Sequence, residues 1–176
     1  MLDRKRSEYT IVILGITGKI ASGKSTVCGY IKNIKENALI LDIDGLAKDI
    51  YSKRTDVVDR LRELFGSEVF GCAGDLDFES MASKVFSNNK ELEKLNRLMF
   101  PLIRDEVKNI IDKNSDKDYI IIDAAVLFDC KLDLLCDYII LVDTSYENRR
   151  TFLKNKNFSK ADIELRIKGQ HIKIDM

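Results

Sequence analysis

Four residues near the start of the chain have the types and spacing of a phosphate-binding loop. They are Gly18, Gly23, Lys24 and Ser25, which fit the pattern G-x-x-x-x-G-K-[ST]. Glycine leaves room for backbone N–H groups to converge on an anion, and a helix that begins there directs the positive end of its dipole at the same point. The lysine of such a loop reaches the outer phosphates, and the hydroxyl can bind a phosphate-associated Mg²⁺. The spacing therefore predicts a nucleoside triphosphate site; the alternative is a plain glycine turn between a strand and a helix.

Aspartates follow the later apolar runs of the chain. Asp42 and Asp44 follow the second run, Asp123 follows the third and Asp143 follows the fourth. A carboxylate at the end of a strand can accept the proton of an acceptor hydroxyl or bind Mg²⁺ in phosphoryl transfer. Such a residue can equally cap a helix or form a turn, and a turn is the more typical role for Asp143. On an extended chain Asp42 and Asp44 would face the same side, so only one of them need reach a substrate.

Basic side chains cluster toward the end of the chain, on two predicted helices. The first helix and the residues just after it carry Arg149, Arg150, Lys154 and Lys156, and the second carries Arg166 with Gln170 one turn later. A basic helical hairpin can form a lid that brings positive charge onto phosphates, whereas a solvated charged face is the alternative. Lys48, Arg97 and Arg104 are further candidates for anion contacts, although each alone is more typical of surface charge.

The elements that must position these residues alternate between apolar runs and helical patterns. Strands are predicted at residues 11–16, 38–41, 119–122 and 138–142, and helices at 27–34, 46–51, 57–65, 76–86, 89–113, 146–156 and 159–170. Gly66 is predicted to end a helix, Pro101 to kink or restart one, and Ser159 with Asp162 to cap one. The third and fourth strands are almost wholly apolar, as in parallel strands covered on both faces. The order indicates a parallel α/β sheet with helices inserted between strands two and three, and with ligands at the carboxyl ends of the strands.

Composition limits the class of protein further. The 176 residues suit a single domain, and 29 basic residues balance 29 acidic ones, so no overall positive field favours nucleic acid or a membrane as partner. No apolar run is long enough to span a bilayer, and the charged residues 1–8 are expected to form a solvated tail rather than a signal peptide. The four cysteines are not paired as C-x-x-C and there is one histidine, so we expect free thiols, no zinc site and a cytoplasmic location.

The ordered set of motifs resembles the dephospho-coenzyme A kinase family of P-loop monophosphate kinases. The resemblance runs from about residue 10 to residue 170 and rests on Ile16–Thr26, Asp42–Asp44, Gly74–Asp77, Val85-Phe86, Pro101 with Arg104, Ile122–Asp129, Cys136–Asp143 and Arg166 with Gln170. It implies a P-loop NTPase three-layer sandwich: a core of residues 9–54 and 117–145, a helical coenzyme A-binding insertion of about 55–116, and a helical lid of about 146–170. It also implies that ATP with Mg²⁺ phosphorylates the ribose 3′-hydroxyl of dephospho-coenzyme A in a protein that is a monomer or weak homo-oligomer.

The resemblance also implies roles for individual residues. Asp44 would be the catalytic base, and Lys24 and Arg150 would stabilise the transferring phosphoryl group. Ser25 and Asp123 would hold Mg²⁺, while Asp44, Lys48, Arg104 and Asp123 would contact dephospho-coenzyme A. The nucleotide would lie on Gly18, Lys19, Ile20, Ala21, Ser22, Gly23, Lys24, Ser25 and Thr26.

The chain departs from the family pattern at several positions and at its end. The family usually has glycine where Lys19 and Ala21 stand, histidine at Phe100, arginine at Phe78, and a second lid arginine where this chain offers Lys154 or Lys156. The family also continues beyond the R-x-x-x-Q helix with a strand and a helix, so a shortened end at Met176 is expected. Two alternatives follow: a kinase for another small acceptor such as a nucleoside monophosphate or shikimate, or a truncated nucleotide-binding protein without activity.

Overall fold

The computed structural model describes residues 11–155 and, beyond them, residues 160, 163, 164 and 167. The strands are β1 (Val12–Thr17), β2 (Ala38–Asp42), β3 (Tyr119–Asp123) and β4 (Tyr138–Leu141). The helices are α1 (Lys24–Ile34), α2 (Ile43–Lys53), α3 (Thr55–Phe65), α4 (Phe78–Ser87), α5 (Asn89–Lys113) and α6 (Tyr146–Asn155), with short 3₁₀ turns at Ser67–Val69 and Asp133–Leu135. The predicted tail at residues 1–8, Lys156, Arg166, Gln170 and the capping pair Ser159–Asp162 lie outside the described residues.

The described strands form one parallel sheet in the order β2-β3-β1-β4. This confirms the predicted α/β class, and because β1 lies between β3 and β4 the end of β1 is central in the sheet. In the register of β2 and β3, Asp42 lies opposite Asp123, and in that of β1 and β4, Thr17 lies opposite Leu141. The carboxyl ends of all four strands therefore lie at one edge of the sheet, together with the loop that follows β1.

Isoleucine side chains from β1 and β3 form the centre of the sheet's core. Ile13, Ile16 and residues 120–122 are fully buried, and β-branched residues suit such a pleated, covered surface. Burying each of them contributes about 1.5–3 kcal/mol. Helix α1 covers one face of the sheet through a cluster of Cys28 with Ile16 and Ile121. This packing fixes the start of α1, and hence the loop before it, against β1 and β3.

The chain divides into two compact units. The first contains the described residues up to Asp42 and from Val107 onward, and the second is Ile43–Glu106. The second unit contains α2, α3, α4 and the first part of α5. Its helix α3 buries Val57, Leu61 and Phe65 at helical spacing, and Asp77 caps α4 by accepting hydrogen bonds from the N–H groups of Glu79 and Ser80. The predicted division into core, insertion and lid stays a prediction.

The predicted conformation of Asp44 is wrong. The extended segment after β2 ends at Asp42, and α2 begins at Ile43, so Asp44 lies in the first turn of a helix instead of alternating with Asp42 along a strand. A carboxylate in that turn is favoured by the helix dipole. Helix α5 continues through Pro101, so of the two predicted effects the proline does not restart the helix, and the kink stays a prediction.

The prediction that β4 is covered on both faces is also wrong. All four of its residues are exposed, with Tyr138 66% and Ile140 37% accessible. Within the described residues β4 pairs only with β1 and lies at the edge of the sheet. None of the helices in the described part of the chain is long and apolar enough to cross a membrane.

Candidate active site

The loop between β1 and α1 has the backbone conformation of an anion-binding turn. Gly18 follows β1 with φ of 155°, and Gly23 precedes α1 in the left-handed conformation with φ of 99°. The carbonyl of Gly23 accepts the hydrogen bonds of Thr26 N and Val27 N at 3.0 and 3.1 Å, which starts the helix directly at the glycine. The first N–H groups of a helix have no partner within it, so the start of α1 presents donors and the positive end of a dipole at the loop.

The two glycines have different structural requirements. A Cβ atom at Gly18 would lie 2.1 Å from the carbonyl oxygen of Val142, whereas a Cβ at Gly23 would meet nothing within 4 Å. Gly18→Ala is expected to lower the free energy of unfolding by about 2–4 kcal/mol, because backbone atoms must shift and φ is strained. Gly23→Ala should cost only the strain of a positive φ, about 1–2 kcal/mol. Urea denaturation of both variants measures the difference; equal losses would show that contact with Val142 does not constrain the loop.

Two side chains of the motif are held close to the loop. Lys24 Nζ donates a hydrogen bond to the carbonyl oxygen of Gly18 at 3.1 Å, so its ammonium group lies across the turn. Ser25 Oγ donates a hydrogen bond to Oδ2 of Asp123 at 3.4 Å. The loop is thereby linked to the end of β3, and the structure brings together three residues that sequence reasoning placed in one site.

Asp123 is the centre of a small polar group at the strand ends. Asp42 is its register partner on β2, and the thiol of Cys28 lies against it from α1. Burial raises the pKa of Cys28 to about 12, and the charge of Asp123 and a hydrogen bond to it act in the same direction. Cys28 therefore stays protonated as a donor to this carboxylate. The sequence did not predict the contact between Cys28 and Asp123, because the position of Cys28 in a helix is typical of a packing residue.

The described lid residues occupy different environments on α6. Arg149 is buried, Arg150 is half-buried and Lys154 is exposed. Leu153 is packed with Ile163 and Ile167, and Ile20 and Ala21 of the phosphate loop pack against this cluster. Helix α6 therefore packs beside the loop, and of the basic residues predicted for the lid it buries Arg149. The role of α6 as a lid stays a prediction.

Of the predicted acceptor-binding residues, Asp44, Lys48 and Arg104 belong to the second unit and Asp123 belongs to the first. Asp44 and Lys48 are exposed one turn apart on α2, and Arg104 is half-buried on α5. Arg97 is exposed and lies 4.0 Å from Glu93, which fits the surface-charge interpretation. Asp143 is exposed beyond the end of β4. The roles of Asp44, Lys48 and Arg104 stay predictions.

The oxygen atoms of Ser25 and Asp123 fit the requirements of Mg²⁺. This ion prefers hard oxygen ligands and takes only one or two from the protein when phosphate oxygens and water complete its shell. In the described part of the chain no group of three or more His, Cys, Asp or Glu residues forms a self-sufficient metal site. Ser25 and Asp123 therefore suit a Mg²⁺ ion whose remaining ligands are phosphate oxygens and water.

A parallel sheet with a glycine–lysine–serine loop between an inner strand and the following helix defines a nucleotide-binding P-loop protein. A sequence model of the dephospho-CoA kinase family matches residues 12–175. A dephospho-CoA kinase from Fusobacterium nucleatum is 37% identical over 138 residues, which are 78% of this chain and 69% of the relative. One from Borreliella burgdorferi is 33% identical over 165 residues, which are 93% of this chain and 76% of the relative. The chain belongs to the dephospho-CoA kinase family.

A solved structure supports the same fold. The crystal structure of TT1252 from Thermus thermophilus superposes with a TM-score of 0.75 at 26% identity, over 92% of this chain and 81% of that one. The family and the fold together confirm the prediction that the protein is a kinase.

Proposed function

We propose that this kinase transfers the γ-phosphoryl group of ATP to the ribose 3′-hydroxyl of dephospho-coenzyme A, forming coenzyme A and ADP. The observation that carries the proposal is the loop from Gly18 to Ser25, which presents the start of α1, holds the ammonium group of Lys24 across the turn and bonds Ser25 to the carboxylate of Asp123. Membership of the dephospho-CoA kinase family supports the choice of acceptor. A cytoplasmic protein that acts as a monomer or weak homo-oligomer, without nucleic acid or membrane, is part of the same proposal.

Different residues would bind the phosphate groups and activate the 3′-hydroxyl. The backbone amides of residues 18–26 and the ammonium group of Lys24 would hold the β- and γ-phosphates. Arg150 would bring positive charge from α6, and Asp44 would accept the proton of the 3′-hydroxyl. Lys48 and Arg104 would bind phosphate groups of the acceptor. Most of the rate enhancement would come from positioning and electrostatic stabilisation, because phosphoryl transfer requires little covalent chemistry of the protein.

Ser25 and Asp123 would hold Mg²⁺ when it is bound, and the ion would neutralise charge on the phosphates. Ser25→Ala is expected to raise the Mg²⁺ concentration for half-maximal activity about tenfold, because one of two protein ligands is lost. ATP affinity without Mg²⁺ should stay within about twofold, since a loop amide, not the hydroxyl, contacts the nucleotide there. A titration of activity against Mg²⁺ at saturating ATP measures the first value and calorimetry the second. An unchanged Mg²⁺ requirement would remove Ser25 from the metal site.

The acceptor is tested with a coupled assay for ADP. Dephospho-coenzyme A, adenosine monophosphate and shikimate are compared at equal concentration with Mg²⁺ and ATP, and a reaction without acceptor measures background hydrolysis. The proposal expects turnover with dephospho-coenzyme A only, and expects mass spectrometry of the product to show one added phosphoryl group. Turnover with another acceptor would refute the proposed substrate. Binding of ATP without turnover of any acceptor would refute the proposed activity.

A further inference from the structure

Helix α1 carries a buried thiol one turn after the hydroxyl that reaches Asp123. Cys28 is 4% exposed and follows Ser25 at a spacing of three residues, so the two side chains lie on one face of the helix. Ser25 is exposed, and its Oγ donates a hydrogen bond to Oδ2 of Asp123 at 3.4 Å. An exposed hydroxyl and a buried thiol therefore approach the same strand end from successive turns of α1.

The core contacts of Cys28 place it on the face of the sheet that carries Asp123. Cys28 packs against Ile16 of β1 and Ile121 of β3. Ile121 and Asp123 are two residues apart on β3 and so face the same side of the sheet, and Ile16 is the register partner of Asp123. Both apolar neighbours of the thiol thus adjoin the half-buried carboxylate, and a hydrogen bond joins Cys28 to Asp123.

The thiol acts on this carboxylate as a hydrogen-bond donor. An ionised carboxylate only accepts hydrogen bonds, so the S–H group of Cys28 donates in this contact. Burial raises the pKa of the thiol to about 12, which agrees with a retained proton. A protonated thiol is not a metal ligand, because metals bind the thiolate. The contribution of Cys28 to a metal site is therefore made through the carboxylate.

We infer that Cys28 is a positioning residue for Asp123, whose carboxylate it holds in the orientation that the proposed Mg²⁺ site requires. This inference rests on the proposed function and adds to it a residue that acts through Asp123. Carboxylates that bind a metal are themselves hydrogen-bonded, and loss of such a partner typically lowers metal affinity or activity about 10–100-fold. A thiol is a weak donor, so its removal should have an effect at or below the low end of that range.

Packing is the alternative role of Cys28, and two substitutions separate it from positioning. Cys28→Ala and Cys28→Ser both remove the sulfur atom that packs against Ile16 and Ile121. Only the serine variant keeps a group that can donate to Asp123. Positioning therefore predicts that the two variants differ in their response to Mg²⁺, whereas packing predicts that they shift together.

The experiment measures the dissociation constant of ATP by calorimetry, with Mg²⁺ and with EDTA, in the full chain without acceptor. For Cys28→Ala we expect the affinity for ATP with Mg²⁺ to fall about three- to tenfold, and the affinity in EDTA to stay within about twofold, because the loop amides are unchanged. Cys28→Ser should stay within about twofold of the unmodified protein in both conditions. The Mg²⁺ concentration for half-maximal turnover should follow the same order, while kcat at saturating Mg²⁺ changes less than about twofold.

Cys136→Ala is the matched control. Burial also raises the pKa of the Cys136 thiol to about 12, and its Sγ donates a hydrogen bond to the carbonyl oxygen of Leu132 at 3.3 Å, outside the proposed metal site. This variant should leave both dissociation constants unchanged. A double-mutant cycle with Asp123→Ala tests whether Cys28 acts through the carboxylate. Once Asp123 is replaced, Cys28→Ala should have no further effect on the affinity for ATP with Mg²⁺.

The other outcomes separate failure of the inference from failure of the proposed function. Equal shifts in Cys28→Ala and Cys28→Ser would make Cys28 a packing residue, and unchanged values in Cys28→Ala would remove it from the site. Weaker binding in EDTA as well would mean that the substitution disturbs the loop. If Cys28→Ser does not fold, additive effects of Cys28→Ala and Asp123→Ala would still overturn the inference. Turnover of no acceptor, with the calorimetric results as expected, would refute the proposed function and leave the positioning role in place.

Discussion

Lys24→Met is expected to lower kcat/KM for ATP by about two to three orders of magnitude, the loss seen when one preorganised donor to developing charge is removed. Lys24 is half-buried, and its ammonium group is already placed across the turn by the hydrogen bond to the carbonyl oxygen of Gly18. Methionine keeps most of the side-chain length but removes the charge. Steady-state kinetics with varied ATP at saturating dephospho-coenzyme A measures the effect.

The fold of this variant should be little affected. Methionine cannot make the hydrogen bond from Lys24 to Gly18, and a bond of this type contributes about 0.5–1.5 kcal/mol. Lys32→Met, at an exposed lysine in the last turn of the same helix, provides the control and should change activity less than about twofold. Full activity in Lys24→Met would mean that the loop does not hold the transferring phosphoryl group.

The sequence predicted the elements whose signals are local. The phosphate loop has a fixed spacing of glycine, lysine and hydroxyl residue, and the structure forms it between β1 and α1. Helix α5 was predicted at residues 89–113, and the structure has these same bounds, because its apolar spacing persists over many turns. Such patterns depend on neighbours in the chain and can be read without knowing the sheet order.

The exposure of β4 could not be read from the sequence. Tyr138–Leu141 is as apolar as the buried strand β3, and composition alone does not say which strand lies at an edge. That depends on strand order, which is set by pairing between residues far apart in the chain. Within the described structure β4 pairs with β1 alone, and its side chains are exposed.

The interpretation of Asp44 depended on where helix α2 begins, and that of Arg149 on which face of helix α6 is buried. Helix α2 starts directly after Asp42, whereas the sequence predicted its start at residue 46, so Asp44 was interpreted as a residue of the extended chain. Arg149 and Arg150 are adjacent, and only the face that packs decides which is buried. The apolar Leu153 one turn after Arg149 carried that signal in the sequence, since a helix buries residues at this spacing.

Asp44→Asn is expected to lower kcat by about two orders of magnitude or more while the dissociation constant of ATP stays within about twofold. Asparagine has the size of aspartate but cannot take the proton of the 3′-hydroxyl. The loss of kcat should be smaller than the largest losses that follow removal of a general base. The reason is that the transition state of phosphoryl transfer is loose and needs only partial deprotonation of the acceptor. Single-turnover measurement of coenzyme A formation separates this step from product release.

Asp42→Asn is the comparison that shows which aspartate is the catalytic base, because Asp42 and Asp44 lie two positions apart in the chain and both side chains are exposed. Asp42 ends β2 opposite Asp123, whereas Asp44 begins α2, so the two carboxylates cannot be interchangeable. With Asp44 as the base, Asp42→Asn should keep most of kcat and change mainly the response to Mg²⁺, since its register partner Asp123 is the proposed ligand. A loss of kcat in Asp42→Asn with near-normal turnover in Asp44→Asn would assign proton transfer to the end of the strand instead of the first turn of the helix.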